Sequence, residues 1–251
     1  MAASIVVGVR TLVFIPAWNE QDCVGDVVRG VRRELPDVDV LVVDDGSSDK
    51  TAQRAREAGA RVASLPFNQG LGAAIQTGYL YALRGGYDCC AHLDADGQHP
   101  VTELRRLLEV VWADEADFVI GSRFNDLSVS EVEGAYRASL SRRIGIWLFR
   151  HMLSATTGQR YTDTTSGLRA VGARAMRMFA DTYDHDFHEL ESLQRVARAR
   201  LRIRELPVHM LPRQAGKTKI TPLKSAFFIF KALTVLAVGS LRRHLPDPES
   251  A

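Results

Sequence analysis

Tyr87-Asp88-Cys89-Cys90-Ala91-His92-Leu93 runs directly into Asp94-Ala95-Asp96-Gly97-Gln98-His99-Pro100. The first seven residues lean apolar and read as a buried strand. Val101 to Trp112 reads as an amphipathic helix with Pro100 at its first position. Two carboxylates and an amide therefore sit at the carboxyl end of a strand, where an open α/β sheet binds its ligands. Asp94, Asp96 and Gln98 offer oxygen donors on a tight turn, with Gly97 allowing the bend. Such donors suit Mg²⁺ or Mn²⁺, which takes one or two carboxylates and completes its shell with water and phosphate oxygens. An acidic turn that merely caps the next helix has the same local sequence, so the flanking chain has to decide.

Outward from this stretch, strands and helices alternate. Leu12 to Pro16 is a first strand, followed by a loop and a helix. Asn19 is the expected N-cap, and Val24, Val27, Val28, Val31 and Leu35 fall at helical spacing. Pro36 ends that helix. Val38 to Val43 is nearly all apolar, as a strand covered on both faces should be. It leads into Asp44-Asp45-Gly46-Ser47-Ser48-Asp49, with Ser48 the expected cap of a helix from Lys50 to Ala58 and Gly59 its terminator. Arg61 to Leu65 is a third strand. In Asn68-Gln69-Gly70-Leu71-Gly72-Ala73-Ala74 the third glycine of a dinucleotide fingerprint is missing, so the small residues are expected to let a helix lie close on the sheet. Phe118 to Ile120 is another strand, ending in Gly121-Ser122-Arg123. The pattern predicts an α/β fold with a mostly parallel, right-handed, doubly wound sheet.

The second half differs. Residues 125–134 are polar. Arg137 to Ser154 reads as a helix. Tyr161-Thr162-Asp163-Thr164-Thr165-Ser166-Gly167-Leu168-Arg169 is a polar turn entering a strand. Phe187 to Arg200 reads as helix and Leu201 to Leu211 as strand. Arg213-Gln214-Ala215-Gly216-Lys217-Thr218-Lys219 precedes a last amphipathic helix.

The chain's 251 residues are 46% hydrophobic and 25% charged, enough for one large α/β domain. A net charge of +2 gives no global field for nucleic acid. From Arg195 to Lys219 six arginines and two lysines face one acid, Glu205, so a local basic surface is expected there. Three cysteines, Cys23, Cys89 and Cys90, have no metal-ligand spacing and fit a reduced, cytoplasmic protein. The first ten residues do not read as a signal peptide, and Ser225 to Gly239, broken by Lys231, is too short to span a bilayer.

Taken in order, these motifs resemble the family 2 glycosyltransferases with the GT-A fold, most of all dolichol-phosphate mannosyltransferase and related polyprenyl-phosphate glycosyltransferases. Pro16-Ala17-Trp18-Asn19-Glu20 is similar to that family's Pro-x-Tyr-Asn-Glu, with Trp18 at a usual tyrosine position. Asp44 to Asp49 is similar to Asp-Asp-Gly-Ser-x-Asp, and Asp94 to Pro100 to Asp-Ala-Asp-x-Gln-His-Pro. Gly121-Ser122-Arg123, Thr165-Ser166-Gly167 and Arg213 to Lys219 follow in register. The likeness covers residues 12–222.

The resemblance implies that Pro16, Trp18, Glu20, Asp44 and Asp45, with Asp94, Ala95 and Arg123, hold a nucleotide-sugar donor, GDP-mannose or a UDP-sugar. It implies Mg²⁺ or Mn²⁺ on Asp94, Asp96 and Gln98. Arg123, Arg213 and Lys219 would face phosphate, which arginine's fork suits, and Arg137 and Arg142 stand where acceptor-side arginines do. Asp163 would be a general base for a hydroxyl acceptor, or a positioning group for an acceptor phosphate that is already ionised. His185, His188, Glu189 and Glu191 are expected in an acceptor loop or a structural role rather than a second metal site.

The expected activity is inverting transfer to a polyprenyl phosphate. Transfer to a hydroxyl, or non-catalytic nucleotide-sugar binding, are the alternatives. Residues 1–222 form the expected GT-A domain. In 223–251, Phe227, Phe228, Phe230, Leu233, Leu236 and Val238 lie among Lys224, Lys231, Arg242 and Arg243; this helix either packs on the sheet or lies in the cytoplasmic face of a membrane.

Overall fold

The computed structural model describes residues 8–124, 148, 150–155, 157–183 and 188–211. Arg137, Arg142, His185, Arg213, Lys219 and the C-terminal helix expected in 223–251 lie outside them.

In chain order the elements are β1 (Thr11–Ala17), α1 (Val24–Glu34), β2 (Asp39–Asp44), α2 (Thr51–Glu57), β3 (Arg61–Ser64), α3 (Leu71–Arg84), β4 (Cys89–His92), α4 (Val101–Trp112), β5 (Phe118–Ser122), β6 (Arg169–Gly172), α5 (Ala173–Asp181), α6 (His188–Arg198) and β7 (Ile203–Pro207). Residues 150–155 are also helical. One seven-stranded sheet takes the order β3-β2-β1-β4-β6-β5-β7.

Along β1, side chains alternate between the two faces of the sheet. Leu12 and Phe14 join one buried cluster with Leu41, Ile75, Tyr79 and Phe179. Val13 and Ile15 join the other with Val24, Val28, Val42, Leu104 and Leu108. All seven β1 residues are buried, which is why the strand carries no polar alternation.

The strands β1 to β4 pair in parallel, as the alternation predicts. β6 does not: it runs antiparallel between β4 and β5. His92 at the end of β4 faces Arg169 at the start of β6. The chain entering β6 thus arrives at the same sheet edge where β4 delivers Asp94.

Two expected caps are corrected. Helix α1 starts after Cys23, without a side-chain cap. Asn19 instead takes φ 55° and ties two loops together: its Oδ1 accepts the Ser48 N–H at 3.0 Å and its N–H donates to Ser47 Oγ at 2.9 Å. At α2, Asp49 Oδ1, not Ser48, accepts the Thr51 N–H at 2.9 Å. Gly59 does end α2, at φ 92°. Helix α5 has no counterpart in the sequence reading. The expected basic surface is partly neutralised: Arg202 pairs with Asp114 and Asp117, and Arg204 with Glu115. The three cysteines are buried thiols.

Close packing of α3 on the sheet rests on Gly78. A Cβ there would meet the Phe14 ring at 2.3 Å. That ring is fixed edge-on to Tyr79 at 5.2 Å and stacked on His92 at 5.1 Å. Alanine in mid-helix ordinarily gains about 1 kcal/mol over glycine. Overpacking a filled core costs about 1–3 kcal/mol, and a 2.3 Å approach to a ring that cannot swing away puts the cost at the upper end. Gly78→Ala is therefore expected to lower stability by about 1–2 kcal/mol. Urea unfolding checks this; an unchanged or raised midpoint would show that Phe14 yields.

Candidate active site

A cavity of about 400 Å³ opens at the carboxyl edge of the sheet. Pro16, Ala17, Trp18 and Glu20 line it from the end of β1, Asp45 from β2, and Asp94, Ala95 and Asp96 from β4. Residues far apart in sequence thus meet in one wall. Trp18 is 54% exposed, a flat apolar surface open to a ligand. The adjoining pair Asp44-Asp45 is split by the strand's alternation. Asp45 reaches the wall, and its two oxygens accept the N–H groups of Gln69 (2.7 Å) and Gly70 (2.9 Å). Asp44 is not among the lining residues; its Oδ1 accepts the Ser47 N–H at 3.1 Å and shapes the turn.

The bond from Asp45 draws in a wall segment the sequence reading missed. Asn68, Gly70, Leu71 and Ala74 complete the cavity. Gly70 sits at φ 95° as the residue before α3. The small residues here predict close helix packing; the segment also lines the cavity. The signal available was a segment after β3 that carries Asn68 and two glycines, Gly70 and Gly72.

In the acidic turn, Gly97 takes φ 72°, a conformation open to glycine at little cost. Asp96 Oδ1 accepts the Gln98 N–H at 3.0 Å. The Gln98 side chain is placed against Leu211, with Nε2 3.4 Å from the Leu211 carbonyl, and is not among the lining residues. The Asp94 carboxylate lies 3.8 Å from His99 Nε2, a buried ring the sequence reading left without a role. His99 Nδ1 has no hydrogen-bond partner.

Burial raises the Asp94 carboxyl above the ordinary range; Asp96 and Glu189 add to this, while His99 and His188 oppose it. The side chain is nevertheless 36% exposed toward the cleft. Burial lowers His99 in turn, against the pull of Asp94 and Asp96. A crowded carboxylate with raised proton affinity is suited to a cation. Among the described residues no three His, Cys, Asp or Glu side chains converge as a complete metal site. Two carboxylates at a cavity edge fit a hard divalent cation that takes its remaining ligands from water and a diphosphate.

Arg123, expected at phosphate, is in a second layer. Its Nε and Nη2 donate to Asp163 Oδ2 (2.6 Å) and Oδ1 (2.8 Å), and Nη2 also to Thr165 Oγ1 (2.7 Å). The two side chains are 7% and 0% exposed. Glu205, read only as the lone acid of a basic strand, accepts the N–H groups of Thr162 and Asp163 and so fixes the Asp163 turn to β7. Burial alone would raise Asp163, but its hydrogen bonds and charge pairing with Arg123 overcome this and hold it below the ordinary range.

That direction gives a pH dependence. An Asp depressed in the folded state stabilises above its unfolded pKa of about 3.9 and loses that contribution as pH falls through the folded value. Removing one partner of a buried pair costs about 3–5 kcal/mol. Asp163→Asn, isosteric, is expected to lose about 3 kcal/mol near neutral pH. The gap to wild type should narrow below about pH 4. Urea titrations across pH read both, and a gap independent of pH would contradict the pairing.

Residues 12–183 match the family model described as Glycosyl transferase family 2. The chain is 32% identical over 223 residues to an undecaprenyl-phosphate mannosyltransferase of Micrococcus luteus, covering 84% of this chain and 88% of the relative. It is 31% identical over 231 residues to a polyprenol monophosphomannose synthase of Mycolicibacterium smegmatis, covering 84% and 81%. Its fold is similar to that of glucosyl-3-phosphoglycerate synthase from Mycobacterium tuberculosis, crystallised with Mn²⁺, UDP and glucosyl-3-phosphoglycerate. There the TM-score is 0.66, with 20% identity over 96% of this chain and 82% of that one. The matched span holds both the cavity-lining end of β1 and the acidic turn after β4, and the chain belongs to glycosyl transferase family 2, with the GT-A fold.

Proposed function

We propose that this glycosyltransferase moves a sugar from a nucleoside diphosphate sugar to a polyprenyl phosphate, inverting the anomeric centre. The observation that carries the reading is the joining of an apolar wall, Pro16 and Trp18, to the acidic edge Asp94-Ala95-Asp96 across one cavity. That spacing suits a donor whose base lies on the Trp18 ring and whose diphosphate reaches the carboxylates. The acceptor class is supported by relatives named for undecaprenyl phosphate and polyprenol.

In this reading Asp94 and Asp96 would hold Mg²⁺ or Mn²⁺, and Gln98 would turn in from the Leu211 carbonyl to join them. The bound cation supplies charge neutralisation for the leaving diphosphate. Glu20 and Asp45 orient the nucleoside, with Asp44 behind them in the turn. An acceptor phosphate is ionised at neutral pH and attacks without a general base. Asp163, held by Arg123, is then a positioning group that keeps the Thr162–Gly167 turn at the sheet edge. Arg123, engaged by Asp163 and Thr165, would act on phosphate only by leaving Asp163. Arg213 and Lys219, outside the described residues, are the acceptor-phosphate cations of this reading. The lipid tail places the reaction at a membrane surface, and no helix of the described residues is long and apolar enough to cross one.

Purified protein given GDP-, UDP- and dTDP-sugars with a short polyprenyl phosphate tests this. An acid-labile glycosyl phosphate is the expected product, and an acid-stable glycoside would assign a hydroxyl acceptor instead. Asp96→Ala should lower transfer at least about a hundredfold, the equivalent of about 2.7 kcal/mol in the barrier, with circular dichroism unchanged. Excess EDTA should silence wild type equally. Full activity under either condition would remove the metal from the mechanism.

A further inference from the structure

We infer that Gly167 is a positioning residue: its missing side chain sets the clearance that lets the Asp94 carboxylate stand in the orientation a divalent cation needs. The inference rests on the metal reading above. A Cβ built at Gly167 would lie 2.7 Å from Asp94 Oδ2, 2.9 Å from Oδ1 and 3.0 Å from Cγ. The three nearest neighbours are thus all atoms of one carboxylate. Gly167 is not among the glycines with positive φ, so its backbone is open to any L-residue. Conformational freedom does not account for a glycine here; contact with Asp94 does.

The turn's side of this contact cannot easily retreat. The Gly167 turn is held from behind by Arg169, whose Nε donates to the Ser166 carbonyl at 2.9 Å. The same guanidinium donates to Ser192 Oγ (2.5 Å) and the Glu189 carbonyl (3.1 Å) of α6. It is 1% exposed, and β6 fixes it opposite His92. The turn is held again at Asp163 by Arg123 and Glu205. On the other side, Asp94 follows β4 by two residues and has His99 at 3.8 Å. A methyl group at position 167 would therefore rotate the carboxylate before it moved the turn. Glycine at this position bounds the carboxylate on one face and leaves the cleft face open.

The test is Gly167→Ala, alone and in an Asp94→Ala background. Mn²⁺ binding is read by electron paramagnetic resonance with saturating GDP or UDP, and folding by circular dichroism and melting. Disturbing a group that orients a metal ligand lowers affinity about 10–100-fold, and that loss is expected for Gly167→Ala with its fold kept. Its melting temperature should fall by a few degrees in the wild-type background and stay level in the Asp94→Ala background, where the obstructing oxygens are gone. If Gly167→Ala alone fails to fold while the double variant folds, the contact is equally supported. Wild-type Mn²⁺ affinity in Gly167→Ala, an equal melting loss in both backgrounds, or a double variant that also fails to fold, overturns the inference. Absence of Mn²⁺ binding in the wild type overturns the metal reading and this use of Gly167 with it, whereas the melting comparison still reports the contact by itself.

Discussion

The antiparallel pairing of β6 with β4, with His92 opposite Arg169, is the constraint on which the site depends. A fully parallel sheet would deliver every strand end to the carboxyl edge and every return segment to the opposite one. One reversed strand changes that. It brings a strand's beginning to the active edge, and with it the residues that precede the strand. Asp163, Thr165, Ser166 and Gly167 reach the acidic turn for this reason. The reversal also gives β5 a neighbour on each side, β6 and β7, so that Glu205, level with Ile120 in the ladder, can hold the turn from below.

Charge at this edge is sorted into two kinds of group. Arg123 and Asp163 satisfy each other with two short, parallel bonds, and Asp163 ends below its ordinary pKa. Asp94 has no such partner: a histidine 3.8 Å away, itself lowered by burial, is a poor counter-charge, and Asp96 and Glu189 add repulsion. Both carboxylates lose hydration, yet they are displaced in opposite directions. What separates them is a directional, bidentate cation, which outweighs desolvation for one and is missing for the other. Asp163 is thereby suited to holding structure and Asp94 to receiving a ligand.

Much of the fold could be read from the chain because its signals are local. The apolar runs of β1 and β2, the helical spacing of Val24 to Leu35, and the acidic turn between β4 and α4 each lie within a few neighbouring residues. What escaped the reading is long-range. Asn19 looks like a helix cap, but its partners, Ser47 and Ser48, are on the next loop. Asp44 and Asp45 look equivalent, but strand alternation sends only one to the cavity. Asn68 and Leu71 join the wall because Asp45 holds the backbone beside them. The direction of β6 is invisible in its composition, since Arg169 to Gly172 would read alike in either sense. Pro16, Trp18, Glu20, Asp94 and Asp96 belong to motifs that follow strands, and they line the same cavity at the sheet edge. Gly167 was visible only as part of a motif, since its reason is an atom 73 positions away in sequence.

The end of β4 shows how three successive residues meet three different requirements. His92 points into the core, stacked on Phe14 with its Nδ1 3.4 Å from the Tyr79 hydroxyl. Burial, with Arg169, His188 and His99 adding, lowers its pKa well below the ordinary value and keeps it neutral. Leu93 points to the opposite apolar cluster. Asp94 is the first residue to reach the cleft. A charged His92 would put a cation beneath the acidic turn and compete with any metal for the field of Asp94. Neutrality at His92 therefore serves both ends of the strand: the core avoids burying a second cation beside Arg169, and the carboxylate two residues on keeps its attraction for a cation arriving from the open side. The positive charge of Arg169 is in turn spent on the Ser166 and Glu189 carbonyls and the Ser192 hydroxyl, fixing geometry at the edge without neutralising it.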